Sequence, residues 1–129
     1  MEYKFSNLTE KEMDFEMVFA RIYDFIKQDP RGNYRLMFGT DSQVHEKNTL
    51  FITGIVIQKE GKGAWACIRK VDIPRKLENL HEKISLETTF TEEIVSLFTE
   101  EKRNQLINIV LPHIYKGATD NEQRNQTYT

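Results

Sequence analysis

The chain has 129 residues, 39% hydrophobic and 29% charged, with a formal net charge of -2. That length suits one domain, residues 1–129, with a core that needs no staple, and the single cysteine, Cys67, excludes an internal disulfide. No apolar run approaches the roughly 20 residues that cross a bilayer, the charged start MEYKFSNLTEKE lacks the apolar stretch of a secretory signal, and no global positive field draws in nucleic acid. The expectation is a cytoplasmic protein with no membrane partner.

Thr9 followed by Glu12 has capping-box spacing and opens a predicted helix. Met13, Met17, Ala20 and Phe25 keep its rhythm, and Val18, Ile22, Tyr23 and Ile26 widen the apolar stripe. Pro30 ends the helix near Asp29, because a residue before proline is disfavoured in helical geometry. Three strands follow over residues 35–44, 49–59 and 63–73, rich in apolar and β-branched side chains. Their links are short and polar, which gives an antiparallel meander and leaves no room for a crossover helix.

A second helical region is expected over residues 75–98. Leu77, Leu80, Ile84, Phe90, Ile94 and Phe98 step by helical intervals except for one gap, and helical spacing fills that gap at position 87, where the chain has Glu87. A further helix over residues 100–115 is expected to bend or end early at Pro112, and residues 118–129 read as a polar, flexible tail.

Asp41 is the first candidate for chemistry. It shares a strand face with Met37, Gly39 and Gln43, and an ionised carboxylate on a central strand is costly unless paired or bound to a cation. The plain alternative is that Asp41 caps a turn at the strand's end. Glu87 is the second candidate: in a continuous helix it faces the sheet, and in a broken one it faces solvent. If both point into the space between strand and helix, they share a proton or a divalent cation, and an oxygen-rich site suits Mg²⁺ or Mn²⁺. The third feature is the basic run from Lys59 to Lys76, with Trp65 within it; it reads either as phosphate contacts with a stacked base or as a strand edge protected by lysines. Cys67 reads as a small core residue, and His45, His81 and His113 have no metal-ligand spacing.

The segments FGTDSQVH (38–45), TGIVI (53–57), GAWACIRKVDIPRK (63–76) and EKISLETTF (82–90) resemble, in order, the YkuK-type family of small bacterial proteins with a ribonuclease H-like fold. The resemblance implies an α/β domain with an N-terminal helix, a three-stranded antiparallel meander, then helices. It also implies strands parallel to the first, which are expected to be missing or incomplete here after IYKGATD (114–120). It matches Asp41 and Glu87 to acidic residues that hold two Mg²⁺ or Mn²⁺ ions in such enzymes. The implied substrate is RNA or an RNA-containing hybrid, with Ser42 and Gln43 orienting ligands or contacting substrate and Arg69, Arg75 and Lys76 meeting phosphates. Two functions stay open. One is a metal-dependent nuclease-like hydrolase with a reduced site. The other is a non-catalytic module that binds nucleic acid or protein, or dimerises through the open sheet edge beside the first strand.

Overall fold

A computed structural model of the chain describes residues 3–124. In chain order it has α1 (Phe15–Lys27), β1 (Tyr34–Val44), β2 (Thr49–Lys59), β3 (Gly63–Ile73), α2 (Leu80–Leu97) and α3 (Glu100–Arg124). Among the described residues the sheet has three strands in the order β1-β2-β3, antiparallel throughout. The β2–β3 turn uses Gly61 and Gly63 at φ 75° and 102°, conformations that side chains with a Cβ rarely adopt.

The two strand registers run without a bulge and align the three strands residue by residue. Leu36, Phe38, Thr40 and Ser42 of β1 therefore share one face with Ile57, Ile55, Thr53 and Phe51 of β2 and with Trp65, Cys67, Arg69 and Val71 of β3. The helices pack on that face. Val18, Ile22 and Ile26 of α1, Ile94 of α2 and Leu106 of α3 form one core with Ile55, Ile57 and Cys67. Phe98, just after α2, closes it through edge contacts with Phe15 and Phe38 at 5.0 and 5.3 Å. A smaller cluster, Phe51, Leu77 and Phe90, sits at the other end of the sheet. The opposite face carries Arg35, Gly39, Asp41 and Gln43 in the open.

Local chemistry corrects three expected boundaries. Helix α1 begins at Asp14, whose carboxylate accepts the Met17 N–H at 2.8 Å. Thr9 and Glu12 do not cap it, because Asn7 Oδ1 takes the N–H groups of Thr9 and Glu10 and folds residues 7–10 into a turn. Met13 then pairs with Phe5 in a β-bridge. Helix α2 begins at Leu80 behind an Asn79 cap rather than at residue 75. Before it, Thr49 Oγ1 donates to Arg75 O and accepts the Leu77 N–H, so Leu77 anchors a loop instead of a helix face. Helix α3 runs through Pro112 to Arg124, past the break expected at the proline and over residues 118–124, where composition argues for a tail; residues 125–129 lie outside the described residues.

The one-sided core gives a direct stability test. Ile55, fully buried, and Ile52, half-buried on the opposite face, lie three residues apart on the same strand. Ile55→Ala is expected to cost about 3 kcal/mol in denaturant unfolding and Ile52→Ala about 1 kcal/mol.

Candidate functional site

The strand register decides which residues of β1 meet helix α2. Thr40 and Ser42 lie on the helix side, and each makes a hydrogen bond to α2. The Ser42 hydroxyl donates to Glu87 Oε2 at 2.6 Å, a short contact of the kind a charged acceptor gives. The Thr91 hydroxyl donates to the Glu87 carbonyl at 3.0 Å, which leaves it an acceptor for Thr40 at 2.7 Å. Thr40 in turn accepts from Thr53 at 2.8 Å. Protons thus run in one direction, from Thr53 to Thr40 to Thr91 to the backbone of residue 87. A hydroxyl has one proton to give, so the direction of one bond fixes the others. Glu87 is held through both its carbonyl and its carboxylate. A cleft of about 310 Å³ opens beside it, lined by Thr40, Ile84, Glu87, Thr88, Thr91 and Glu92.

Asp41 lies on the other face of β1 and is exposed. Its carboxylate turns back along the strand to accept the Ser42 N–H at 2.9 Å. That N–H points away from β2: Asn33 and His45 exchange hydrogen bonds with the β2 side, so odd-numbered residues of β1 face β2 and even-numbered ones face the open edge. Ser42 therefore donates to both acids, through its backbone to Asp41 and through its hydroxyl to Glu87. The two carboxylates flank one residue at the edge of the sheet, on its two sides, and have no contact through a shared proton. Among the described residues no group of three or more His, Cys, Asp or Glu side chains is placed to hold a metal ion.

The other candidates separate. Gln43 is exposed, on the Asp41 face. Arg69 does not reach out to a phosphate: it lies on the helix side, bonded to Glu93 Oε2 at 2.9 Å with its guanidinium over the rings of Tyr3 and Phe90. Burial of a charged group requires that pairing, so Arg69 belongs to the packing of β3 against α2. Arg75 makes a two-pronged bond to Glu82 on the surface, and the pairing holds the Glu82 carboxyl below its ordinary range. Lys76 is exposed beside Glu78 at 3.5 Å. Trp65 is partly buried and packs against the main core. Cys67 is 1% exposed, and burial pushes its thiol up to about 12, which removes it as a nucleophile.

Sequence reasoning counted Lys70 only within the basic run and did not set it beside Asp41. The registers align Asp41 with Ile52 and Ile52 with Lys70, so Lys70 is exposed on the same row of the open face, two strands or about 10 Å from Asp41. The signal was available in the alternation of β3, which sends Lys70 outward wherever Cys67 and Arg69 go inward. The hydroxyl line through Thr40, Thr53 and Thr91 had no signal, because it depends on where α2 crosses β1.

Ser42→Ala tests the seam between strand and helix. Loss of the hydroxyl leaves Glu87 Oε2 without its donor, and thermal or denaturant unfolding is expected to register a cost of about 1 kcal/mol. Thr40→Val is expected to cost more, about 2 kcal/mol, because the buried Thr53 hydroxyl loses its partner.

Comparison with known proteins bears on the fold that carries this site. A family model described as ribonuclease H-like matches residues 17–125. A Bacillus subtilis protein named "Uncharacterized protein YkuK" is 39% identical over 114 residues, which is 88% of this chain and 66% of that protein. The chain thus spans just under two thirds of that relative's length. No solved structure matches the chain. Among the described residues no helix is long and apolar enough to cross a membrane. With most of its length matched by the family model, this chain belongs to the ribonuclease H-like family.

Proposed function

We propose that this chain is a nucleic-acid-directed domain of ribonuclease H type in which Asp41 and Glu87 take up one divalent cation, Mg²⁺ or Mn²⁺. The observation that carries this reading is the double donation by Ser42, which sets two carboxylates around one residue at an open sheet edge. The donors are all hard oxygens, and their chemistry fits those ions rather than a softer metal. When bound, such a cation polarises a phosphodiester oxygen and lowers the pKa of a bound water.

The residues of this chain supply position and charge. Glu87 is pre-set by its two hydrogen bonds to the hydroxyl seam, whereas Asp41 is exposed and held by the Ser42 N–H alone. Lys70, exposed on the row of Asp41, is placed to meet an RNA or RNA/DNA backbone, and Lys76 is exposed beside Glu78. Gln43 stands beside Asp41 on the open face as a polar contact for substrate. Two carboxylates hold one ion more readily than two, so cation binding in the millimolar range and feeble hydrolysis are expected of this chain alone.

A second reading, a binding or assembly module without catalysis, is favoured by a different observation. The outer edge of β1 is unpaired among the described residues, so its backbone groups are open to another strand.

A thermal melt titrated with MgCl₂ or MnCl₂ tests the cation site. At a concentration tenfold above the dissociation constant, linkage adds about 1.4 kcal/mol, or a few degrees in Tm. Asp41→Asn and Glu87→Gln are each expected to remove most of the shift. Absence of a shift in the parent protein, or an unchanged shift in Asp41→Asn, contradicts the reading.

A further inference from the structure

Glu87 lies where the apolar hold on α2 changes. Before it, Leu80 and Ile84 are exposed; after it, Phe90 and Ile94 are buried. Leu86 packs on the Phe51 cluster, toward β2 and β3. On the β1 side, this turn of the helix is joined to the sheet by two side-chain hydrogen bonds, Ser42 to Glu87 at 2.6 Å and Thr40 to Thr91 at 2.7 Å. They form the rungs of a short ladder. Thr40 and Ser42 are two residues apart on one face of a strand, a spacing of about 6.7 Å. Glu87 and Thr91 are four residues apart on one face of a helix, a spacing of about 6 Å. The intervals nearly match, so both rungs close at once, with α2 antiparallel to β1 along them. Further along the same face Phe38 meets Phe98 in the same antiparallel sense.

We propose that Thr40 and Thr91 are positioning residues for cation uptake: their rung sets the height and rotation of α2 over β1, and so places the Glu87 carboxylate relative to Ser42 and Asp41. The inference rests on the cation reading and extends it to two residues outside the ligand set. The hydroxyl line makes the rung directional. Thr53, buried on the central strand, gives its proton to Thr40, Thr40 gives its own to Thr91, and Thr91 closes on the Glu87 carbonyl at 3.0 Å. Thr40 cannot turn from α2 without taking the partner of a buried hydroxyl with it. The line therefore begins at a fixed point in the core and ends on the backbone of the very residue whose carboxylate takes up the ion.

Packing alone does not call for hydroxyls here. An apolar pair of the same shape holds two elements together about as well as a hydrogen-bonded pair, but apolar attraction has no direction and leaves a helix free to slide and turn. Thr40 and Thr91 both line the cleft beside Glu87, so the rung stands in the wall of the candidate site. Thr91 lies one helical turn from Glu87, and a rigid helix carries any displacement at Thr91 to that carboxylate. A binding constellation tolerates only about 0.5 Å of such displacement.

Mn²⁺ affinity, read from the loss of the free-ion electron paramagnetic resonance signal well below each melting temperature, tests the proposal. Thr40→Val and Thr91→Val are each expected to weaken Mn²⁺ binding about tenfold, the size of effect that groups behind a metal's ligands have. Thr40→Ser and Thr91→Ser keep the hydroxyl and are expected to bind within about twofold of the parent. Ile22→Val, a core change in α1 outside both rungs, controls for lost stability and is expected to leave the affinity within about twofold. Circular dichroism confirms that each variant is folded. If Thr40→Val unfolds, Thr91→Val carries the test, because it leaves the bond between Thr40 and Thr53 in place. Valine variants that bind Mn²⁺ as the parent does overturn the proposal, as do serine variants that fail to recover binding or an Ile22→Val loss as large as theirs. Those outcomes leave the cation reading standing. A parent that binds no Mn²⁺, or binds it equally after Glu87→Gln, overturns the cation reading and the proposal with it.

Discussion

Ser42 gives its hydroxyl proton to Glu87 and its backbone N–H to Asp41, and these two bonds tie the strand, the helix and the sheet edge together. Strand alternation makes the arrangement compulsory. A side chain that reaches α2 leaves its neighbours on the far face, so Thr40 and Ser42 serve the helix while Asp41 remains outside. The acid on the strand and the acid on the helix therefore each meet Ser42 from opposite sides of the sheet, not across its interior.

The same one-sidedness governs the rest of the molecule. The helices pack on a single face of a three-stranded sheet, with Ile55 and Ile57 of the central strand at the centre of the core. Charges on that face must be paired, as Arg69 is with Glu93, whereas Lys70 and Asp41 on the other face stay hydrated. Function, on this account, belongs to the rim and the open face.

Much of the fold could be read from the residues. The strand runs are β-branched and bounded by turn residues, and β2 and β3 begin and end where those signals fall. Glu87 could be placed toward the sheet because it interrupts an otherwise apolar helical stripe. The stripe itself misled at Leu80 and Ile84, which are 65% and 51% exposed, since only the second half of α2 lies over the core. Helix starts were less legible. At α1, Asn7 and Asp14 compete with Thr9 as local acceptors, and the outcome depends on the Phe5–Met13 bridge; at α2, the Asn79 cap depends on Thr49 gripping the loop at Arg75 and Leu77. Expecting Asp41 and Glu87 in one interior space overlooked parity, because Phe38 is an apolar residue that must face the core, and Asp41, three residues on, then faces away.

The central claim is that Asp41 and Glu87, joined through Ser42, form one cation site at the edge of β1. Titration of isotopically labelled protein with Mn²⁺, followed by paramagnetic broadening of backbone amide signals, tests it most directly. The account predicts that the amides of residues 41, 42 and 87 broaden first and together, at Mn²⁺ levels that leave the acidic surface of α3 near Glu100 and Glu101 unaffected. Broadening that begins elsewhere, or that reaches residue 41 without residue 87, contradicts it.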